Sequence, residues 1–154
     1  MGYKKWLRHT MTNTLLSPPE FPNAEKEPFL VTSPSSGIYN CIAWALELQH
    51  AFLWPGISSR YEWSPNLPRK NNLVVFLQFF QEHGFESCDD GELEMGFQKI
   101  ALFAIDKKTT HAARQLPNGF WTSKIGGWVD VQHTLRAMEG GMYGDVAMFL
   151  KRKI

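Results

Sequence analysis

Two stretches of the chain carry apolar residues at helical spacing. In the first, Ile42, Ala45 and Leu46 share one face, which predicts an amphipathic helix over residues 39–52. In the second, apolar residues recur at i, i+3, i+4 and i+7, at Leu73, Phe76, Leu77 and Phe80. Asn71 or Asn72 can cap this helix and Gly84 can end it, so we expect it to extend to about residue 83.

From residue 85 onward the hydrophobic period changes to two, which is typical of strands. The predicted strands cover residues 85–88, 96–105, 110–116, 120–125 and 144–151, and a short helix is expected over 130–138. Helices first and antiparallel strands afterwards predict an α+β domain, with the cysteine-bearing helix packed on an antiparallel β-meander.

The first 36 residues have a different composition from the rest. They contain five prolines and many serines and threonines, which oppose regular helix. We therefore expect residues 1–36 to form an extended, proline-rich arm and residues 37–154 to form a single domain.

A cysteine stands at the start of the first predicted helix. Asn40 is placed to cap that helix, and Cys41 follows it in the first turn, where free backbone N–H groups favour an anion. The sequence therefore predicts a thiol that is readily held as thiolate, with Asn40 and the Cys41 backbone N–H as donors to an oxyanion.

The segment around Pro117-Asn118-Gly119 predicts a hairpin with a three-residue loop, in which Leu116 pairs with Phe120. This register puts His111 and Ser123 on one face, close enough for the hydroxyl to reach the imidazole. The opposite face carries Ala112, Arg114, Thr122 and Lys124 and is expected to face solvent.

An imidazole that takes a proton from a thiol needs a third group to fix its tautomer. Ser123 is the candidate that the hairpin favours, and Asp130 and Gln115 are alternatives. Gln115 and Trp121, which share the hairpin face of His111, and Trp44, which shares a helix face with Cys41, are assigned to substrate contact.

Composition excludes several classes of function. The net charge is +1, from 16 basic and 15 acidic residues spread along the chain, which disfavours binding to nucleic acid or to an anionic membrane. The five histidines and two cysteines show no metal-binding spacing, so neither a metal nor another cofactor is expected, and Cys41 and Cys88 are interpreted as free thiols. No signal peptide or membrane span is recognisable, which predicts a cytoplasmic protein or one exported without a signal peptide.

The order of these parts resembles the papain-like clan, and in particular the compact NlpC-type cell-wall peptidases. The tracts 39–45 and 110–126 are similar to poorly characterised bacterial proteins with an Asn-Cys-x-x-x-Ala helix start and a His-x-x-Arg-Gln…Gly-x-Trp-Ser-His-Lys-Pro-Gly segment. Those relatives often carry histidine where this chain has Ser123. The resemblance implies papain-like architecture and acyl chemistry at a thiol.

The resulting hypothesis is a thiol-dependent hydrolase, a peptidase or amidase, that acts on a peptide or protein amide through a Cys41–His111 dyad and a thioester. One alternative is an effector-type deamidase or transglutaminase with the same chemistry. Another is a catalytically silent papain-like module that binds a peptide or protein, and a third is a structural partner of a larger complex.

Overall fold

The fold is built around one antiparallel sheet. The computed structural model describes residues 13–154. Its strands are β1 (Leu15–Leu16), β2 (Phe29–Ser33), β3 (Phe52–Leu53), β4 (Tyr61–Glu62), β5 (Glu86–Cys88), β6 (Phe97–Ile105), β7 (Lys108–Gln115), β8 (Trp121–Lys124), β9 (Asp130–His133) and β10 (Asp145–Lys153). Eight of them form the sheet in the order β1-β2-β9-β8-β7-β6-β10-β5, and β3 and β4 form a separate parallel pair.

The helices are short and few in the described chain. They are α1 (Cys41–Ala45), α2 (Leu73–Glu82) and α3 (Leu135–Met138), together with a 3-10 helix at Pro22–Glu25. The expected α+β, papain-like arrangement, with a long cysteine-bearing helix on a meander, is therefore wrong, and the fold is β-rich. Among residues 13–154 none of the helices has the length and hydrophobicity that a bilayer crossing requires.

The first predicted helix is much shorter than its hydrophobic pattern suggests. Helix α1 ends at Ala45, and Glu47 adopts a left-handed backbone conformation with φ +62°. A left-handed residue cannot continue a right-handed helix, so the chain turns away and enters β3. The second helix matches its prediction, because Asn72 caps it through the Val75 N–H and Gly84 follows its end at φ +87°.

The proline-rich segment supplies two strands to the sheet. Strand β2 pairs with β9, and its residues Phe29 and Val31 are buried in the core. Residues 1–12 of the predicted arm lie outside the described residues.

The segment predicted as a helix over 130–138 is a strand followed by one helical turn. Strand β9 buries Val131, and Thr134 then caps α3 by accepting the Ala137 N–H at 3.1 Å. Alternation in the first four residues therefore defines the strand, and the threonine cap delays the helix to Leu135.

Both faces of the sheet are covered. The helix-face core combines α1 and α2 with one set of strand residues and includes Ile42, Phe76, Ile100, Leu102 and Ala112. The second core lies on the other face and includes Phe21, Phe29, Phe103, Ala113 and Met138. Successive residues of β6 and β7 alternate between the two cores, as the pleat of a strand requires.

Candidate functional site

The hairpin between β7 and β8 has the predicted register. The Leu116 N–H donates to the Phe120 carbonyl at 2.7 Å, and Gly119 lies in the left-handed region at φ +89°. Arg114 pairs with Thr122 and Gln115 with Trp121. The three-residue loop is thus confirmed, and with it the placement of Ser123 diagonal to His111.

His111 and Ser123 are in direct contact. The imidazole Nε2 lies 2.8 Å from Ser123 Oγ, and neither residue is exposed to solvent. The predicted contact between the two side chains is therefore confirmed. The other candidates for the third group do not bond to the ring: Gln115 donates to the Gly91 carbonyl at 2.7 Å, and Asp130 accepts the Tyr39 hydroxyl at 2.6 Å.

A second imidazole, which the sequence analysis missed, completes this group. His133 Nε2 lies 2.7 Å from Ser123 Oγ, and His133 Nδ1 lies 2.7 Å from the Thr134 carbonyl oxygen. The alternation of Val129, Val131 and His133 carried the signal for it. That alternation places His133 on the inner face of a strand. In the helix predicted there, the same residues would lie on different faces.

Both imidazoles are neutral at pH 7. Burial lowers the pKa of His133 to about 4. Burial, reinforced by the neighbouring His133, holds the pKa of His111 well below its usual value. Each ring therefore carries one proton, and its two nitrogens have different roles.

The hydrogen bonds fix both tautomers. Because the Thr134 carbonyl only accepts, the single proton of His133 is on Nδ1. His133 Nε2 then accepts the Ser123 hydroxyl proton, so Ser123 Oγ must accept from His111 Nε2–H. His111 Nδ1 is left with its lone pair, which is the form that a general base requires.

His111 Nδ1 is buried and has no hydrogen-bond partner among residues 13–154. Around the ring, Tyr143 stacks in parallel with a centroid separation of 4.2 Å, and Phe103 presents an edge contact at 5.4 Å. A buried polar atom without a partner is costly, and a catalytic role is one of the reasons for which proteins retain such an atom.

Cys41 occupies the first turn of α1, as predicted, but its side chain is buried away from solvent. Backbone N–H groups of Ala112, Ile42 and Cys41 bond to the sulfur and Lys124 lies near it, and all of these lower the thiol pKa. Burial has the larger effect and raises the pKa of Cys41 to about 11. The expectation of a readily formed thiolate is therefore wrong for this state of the protein, in which the thiol is neutral at pH 7.

Cys41 lies beside the backbone of β7, but its sulfur is not hydrogen-bonded to the His111 imidazole. Its sulfur bonds to Ala112, the residue that follows His111, and its side chain packs in the helix-face core. The His111 ring packs against Phe103 and Tyr143 of the second core. Since Nε2 is bonded to Ser123 and Nδ1 has no partner in the described part of the chain, which includes Cys41, no imidazole–thiol hydrogen bond is present.

The hairpin face expected to contact solvent is covered by α1. Trp44 donates its indole N–H to Thr122 Oγ1 at 2.9 Å, and Lys124 is fully buried. Alternation alone could not show this, because a polar face can also lie under a helix that brings matching donors and acceptors.

The remaining predicted residues have structural partners. Asn40 donates to the Leu53 carbonyl at 2.8 Å and accepts the N–H groups of Ala43 and Leu53, so its side chain is not available to an oxyanion. Trp121 is buried near Phe149. Trp44 stacks on Tyr39 at 5.6 Å and is half-buried.

The titratable side chains give no sign of a metal centre. Within residues 13–154 no three His, Cys, Asp or Glu side chains are grouped so that they could hold a metal ion. Cys41 and Cys88 are both free thiols, as the sequence analysis expected.

Comparison with known families gives one match. The model of a family described as a domain of unknown function (DUF7689) matches residues 30–151. The chain belongs to the DUF7689 family. No curated protein and no solved structure matches it significantly. The DUF7689 match begins inside β2 and ends inside β10, so it includes Cys41, His111, Ser123 and His133.

Proposed function

We propose that this protein is a thiol-dependent hydrolase, a peptidase or amidase, in which Cys41 is the nucleophile and His111 the base. One observation carries the proposal: among residues 13–154 the unprotonated Nδ1 of His111 is buried without a hydrogen-bond partner, on a ring that lies across β7 from the Cys41 sulfur. Its tautomer is fixed by Ser123 and His133. A base held in this form is the arrangement that activates a thiol nucleophile.

In the proposed reaction, His111 Nδ1 takes the proton of the Cys41 thiol. The thiolate attacks the carbonyl carbon of an amide, the C–N bond breaks, and the leaving amine receives the proton from Nδ1. Water then hydrolyses the thioester and regenerates the thiol. Because the Asn40 side chain is occupied, the oxyanion donor in this scheme is the Cys41 backbone N–H, which bonds to the sulfur in the resting protein and turns to the oxyanion during the reaction.

The reaction requires the sulfur and Nδ1 to meet, so the proposal includes a local movement of β7. A β-bulge lies directly before His111, where the pairing shifts from Phe103–His111 to Ala104–Thr109. Bulges leave one residue outside the regular ladder and change the direction of neighbouring side chains, and they recur beside active sites. This bulge supports a change in the orientation of His111 when substrate binds.

A second candidate is a binding module without catalysis, which takes up a peptide or protein. The observation in its favour is the resting state of Cys41, a buried thiol whose pKa is about 11 and which has no bond to the imidazole. A deamidase or transglutaminase would use the same thioester and differ only in the acceptor or leaving group.

The test measures the rate at which iodoacetamide alkylates Cys41. The protein carries Cys88→Ser, so that Cys41 is the thiol whose alkylation is measured. We compare this protein with the same protein carrying His111→Gln, which can still bond to Ser123 but has no basic nitrogen. The proposal predicts that His111→Gln slows alkylation at pH 7.5 about tenfold, since one pKa unit corresponds to a tenfold change in thiolate.

A second readout is acyl transfer. With p-nitrophenyl acetate, the Cys88→Ser protein should gain one acetyl group on Cys41 by mass spectrometry and release nitrophenol repeatedly, and Cys41→Ser should lose both. Equal alkylation rates with and without His111, together with no acetylation of Cys41, contradict the hydrolase and favour the binding module.

A further inference from the structure

A groove lies on the helix face of the sheet, next to the helix-face core. Arg152 pairs with Gln98 on β6, and Arg114 pairs with Ile100 two residues further along the same strand. Because Ile100 belongs to the helix-face core, the alternation of strand residues puts both arginines on that face, on the two strands that flank β6. The groove that they line has a volume of about 650 Å³. This volume lies within the range of small-molecule sites, about 300–1,000 Å³.

Apolar side chains line the rim of the groove and are exposed to solvent. Leu93 is 57% exposed, Met95 98% and Ile154 87%. The Ile154 N–H donates to the Gly96 carbonyl at 2.8 Å, which holds Ile154 against the segment that carries the other two side chains. Clustered apolar side chains around a cavity mark a binding site, because a ligand removes their surface from water.

The two carboxylates that line the groove are already paired with cations. The Glu47 carboxylate lies 3.4 Å from Arg114 Nη1. The Glu94 carboxylate lies 3.1 Å from Lys151 Nζ and 3.4 Å from Lys99 Nζ. Neither carboxylate is therefore available to neutralise a further positive charge in the groove.

Arg152 is the charged group of the groove that has no opposite charge beside it. Among residues 13–154 it forms no ion pair with a carboxylate. Its Nη1 donates to the His83 carbonyl at 3.0 Å, its Nη2 donates to Gln98 Oε1 at 2.8 Å, and its guanidinium lies 4.4 Å from the centre of the Phe85 ring. These neutral contacts fix the orientation of the guanidinium and leave it further N–H donors, which suit a carboxylate.

We propose that this groove binds a small amphipathic carboxylate, a molecule with an apolar chain of medium length that ends in one carboxylate group. The carboxylate binds to Arg152, and the chain lies against Leu93, Met95 and Ile154. One negative charge balances the guanidinium that the described chain leaves unbalanced, and the apolar chain covers the exposed rim. Among the described residues, those that line the groove do not include Cys41 or His111, so this inference goes beyond the proposed hydrolase and does not depend on it.

The first experiment compares probes that differ in charge and in chain. Decanoate is added at pH 7.5, below its micelle concentration, to the full-length protein labelled with ¹³C at the methionine methyl groups, and Met95→Leu identifies the Met95 signal. We expect a saturable shift of that signal and one binding site per chain by calorimetry. Decyltrimethylammonium has the same chain and the opposite charge, so it should bind at least about tenfold more weakly. Acetate, the head group alone, should leave the Met95 signal unchanged.

The second experiment tests each part of the groove by substitution. Arg152→Met removes the charge and keeps an apolar stem, so it should weaken decanoate binding about tenfold and have little effect on decyltrimethylammonium. Glu47→Gln removes a negative charge from the groove and should strengthen decanoate binding several-fold. Leu93→Ser should weaken the binding of decanoate. Val74→Ser is the matched control, because Val74 is an exposed apolar residue outside the groove, and it should leave the affinity unchanged.

The probe comparison and Glu47→Gln leave Arg152 in place, in case Arg152→Met does not fold. The absence of decanoate binding, or equal affinity for decanoate and decyltrimethylammonium, overturns the inference. So does binding that leaves the Met95 signal unshifted, or an affinity that neither Glu47→Gln nor folded Arg152→Met changes. A dimer that Leu93→Ser dissociates in sedimentation experiments, together with no binding of decanoate, would assign the groove to a second copy of the chain and overturn the inference as well.

Discussion

The Asn40 side chain is hydrogen-bonded to both the backbone N–H and the backbone carbonyl of Leu53. Its Nδ2 donates to the Leu53 carbonyl at 2.8 Å, and its Oδ1 accepts the Leu53 N–H at 3.1 Å while also capping α1 through the Ala43 N–H. One side chain therefore fixes the start of the cysteine-bearing helix and ties it to β3. This explains why Asn40 cannot serve as an oxyanion donor, the role that the sequence suggested for it.

Replacing Asn40 by alanine should be strongly destabilising. It removes a helix cap and leaves two buried backbone groups of Leu53 without partners, which together cost about 2–4 kcal/mol. Urea unfolding measures the change. Asn72→Ala is the matched control, because Asn72 caps α2 through one bond to Val75, and it should cost only about 1 kcal/mol. Equal losses in the two variants would contradict the double role of Asn40.

Ser123→Ala should disconnect the two imidazoles. The hydroxyl accepts from His111 and donates to His133, so its removal leaves two buried nitrogens unpaired and should lower the free energy of unfolding by about 2–4 kcal/mol. The control is Ser87→Ala on the exposed strand β5, where a change within about 0.5 kcal/mol is expected. A loss from Ser123→Ala as small as the control's would mean that the hydroxyl does not link the rings.

Acidification should destabilise the protein through the buried histidines. Burial lowers the pKa of His133 from its usual 6.5 to about 4, so between these values the unfolded chain binds a proton that the folded chain does not. The contribution of His133 to the free energy of unfolding is therefore fully present above pH 6.5. It is lost as the pH drops toward 4, by about 3 kcal/mol for this residue alone. His111 acts in the same direction.

The His133→Gln variant isolates this effect. Asp130, whose pKa is raised by burial, changes stability in the opposite direction, so the total pH dependence is a sum of several groups. Because glutamine does not titrate, His133→Gln should reduce the slope between pH 6 and 5 by up to about 1.4 kcal/mol per pH unit. Urea midpoints measured at each pH give the slopes, and identical slopes would show that His133 is not buried in its neutral form.

Gly141→Ala should disturb the turn that carries Tyr143. A Cβ at Gly141 would fall inside contact distance of the Glu20 carbonyl oxygen, which also accepts the Met142 N–H. Backbone atoms cannot yield as a flexible side chain can, so we expect a loss of about 1–3 kcal/mol in thermal or urea unfolding. Gly37→Ala, where a Cβ meets nothing within 4 Å, is the control and should be nearly neutral. If Gly141→Ala leaves the free energy of unfolding unchanged, the turn must lie farther from Glu20 than this structure places it.

Much of the local structure follows from the sequence because it depends on neighbouring residues. The Asn72 cap and Gly84 define α2, and the Pro117-Asn118-Gly119 turn defines the register of β7 and β8. That register is sufficient to bring Ser123 to His111. The alternation of Val129, Val131 and His133 was interpreted as part of a helix. For that reason the prediction contained neither strand β9 nor the second imidazole.

What covers each face of the sheet depends on contacts between distant segments, which a pattern along the chain does not contain. The sequence by itself determined the turn between β7 and β8, the period of β5 to β8 and of β10, the asparagine–cysteine helix start and the pairing of His111 with Ser123, because short-range geometry controls all of these. Only the tertiary structure decided that α1 covers the polar face with Lys124, that Cys41 is dry, and that its sulfur and the His111 ring belong to different cores. The burial of a group, and with it the pKa that governs its chemistry, is set by what packs over it.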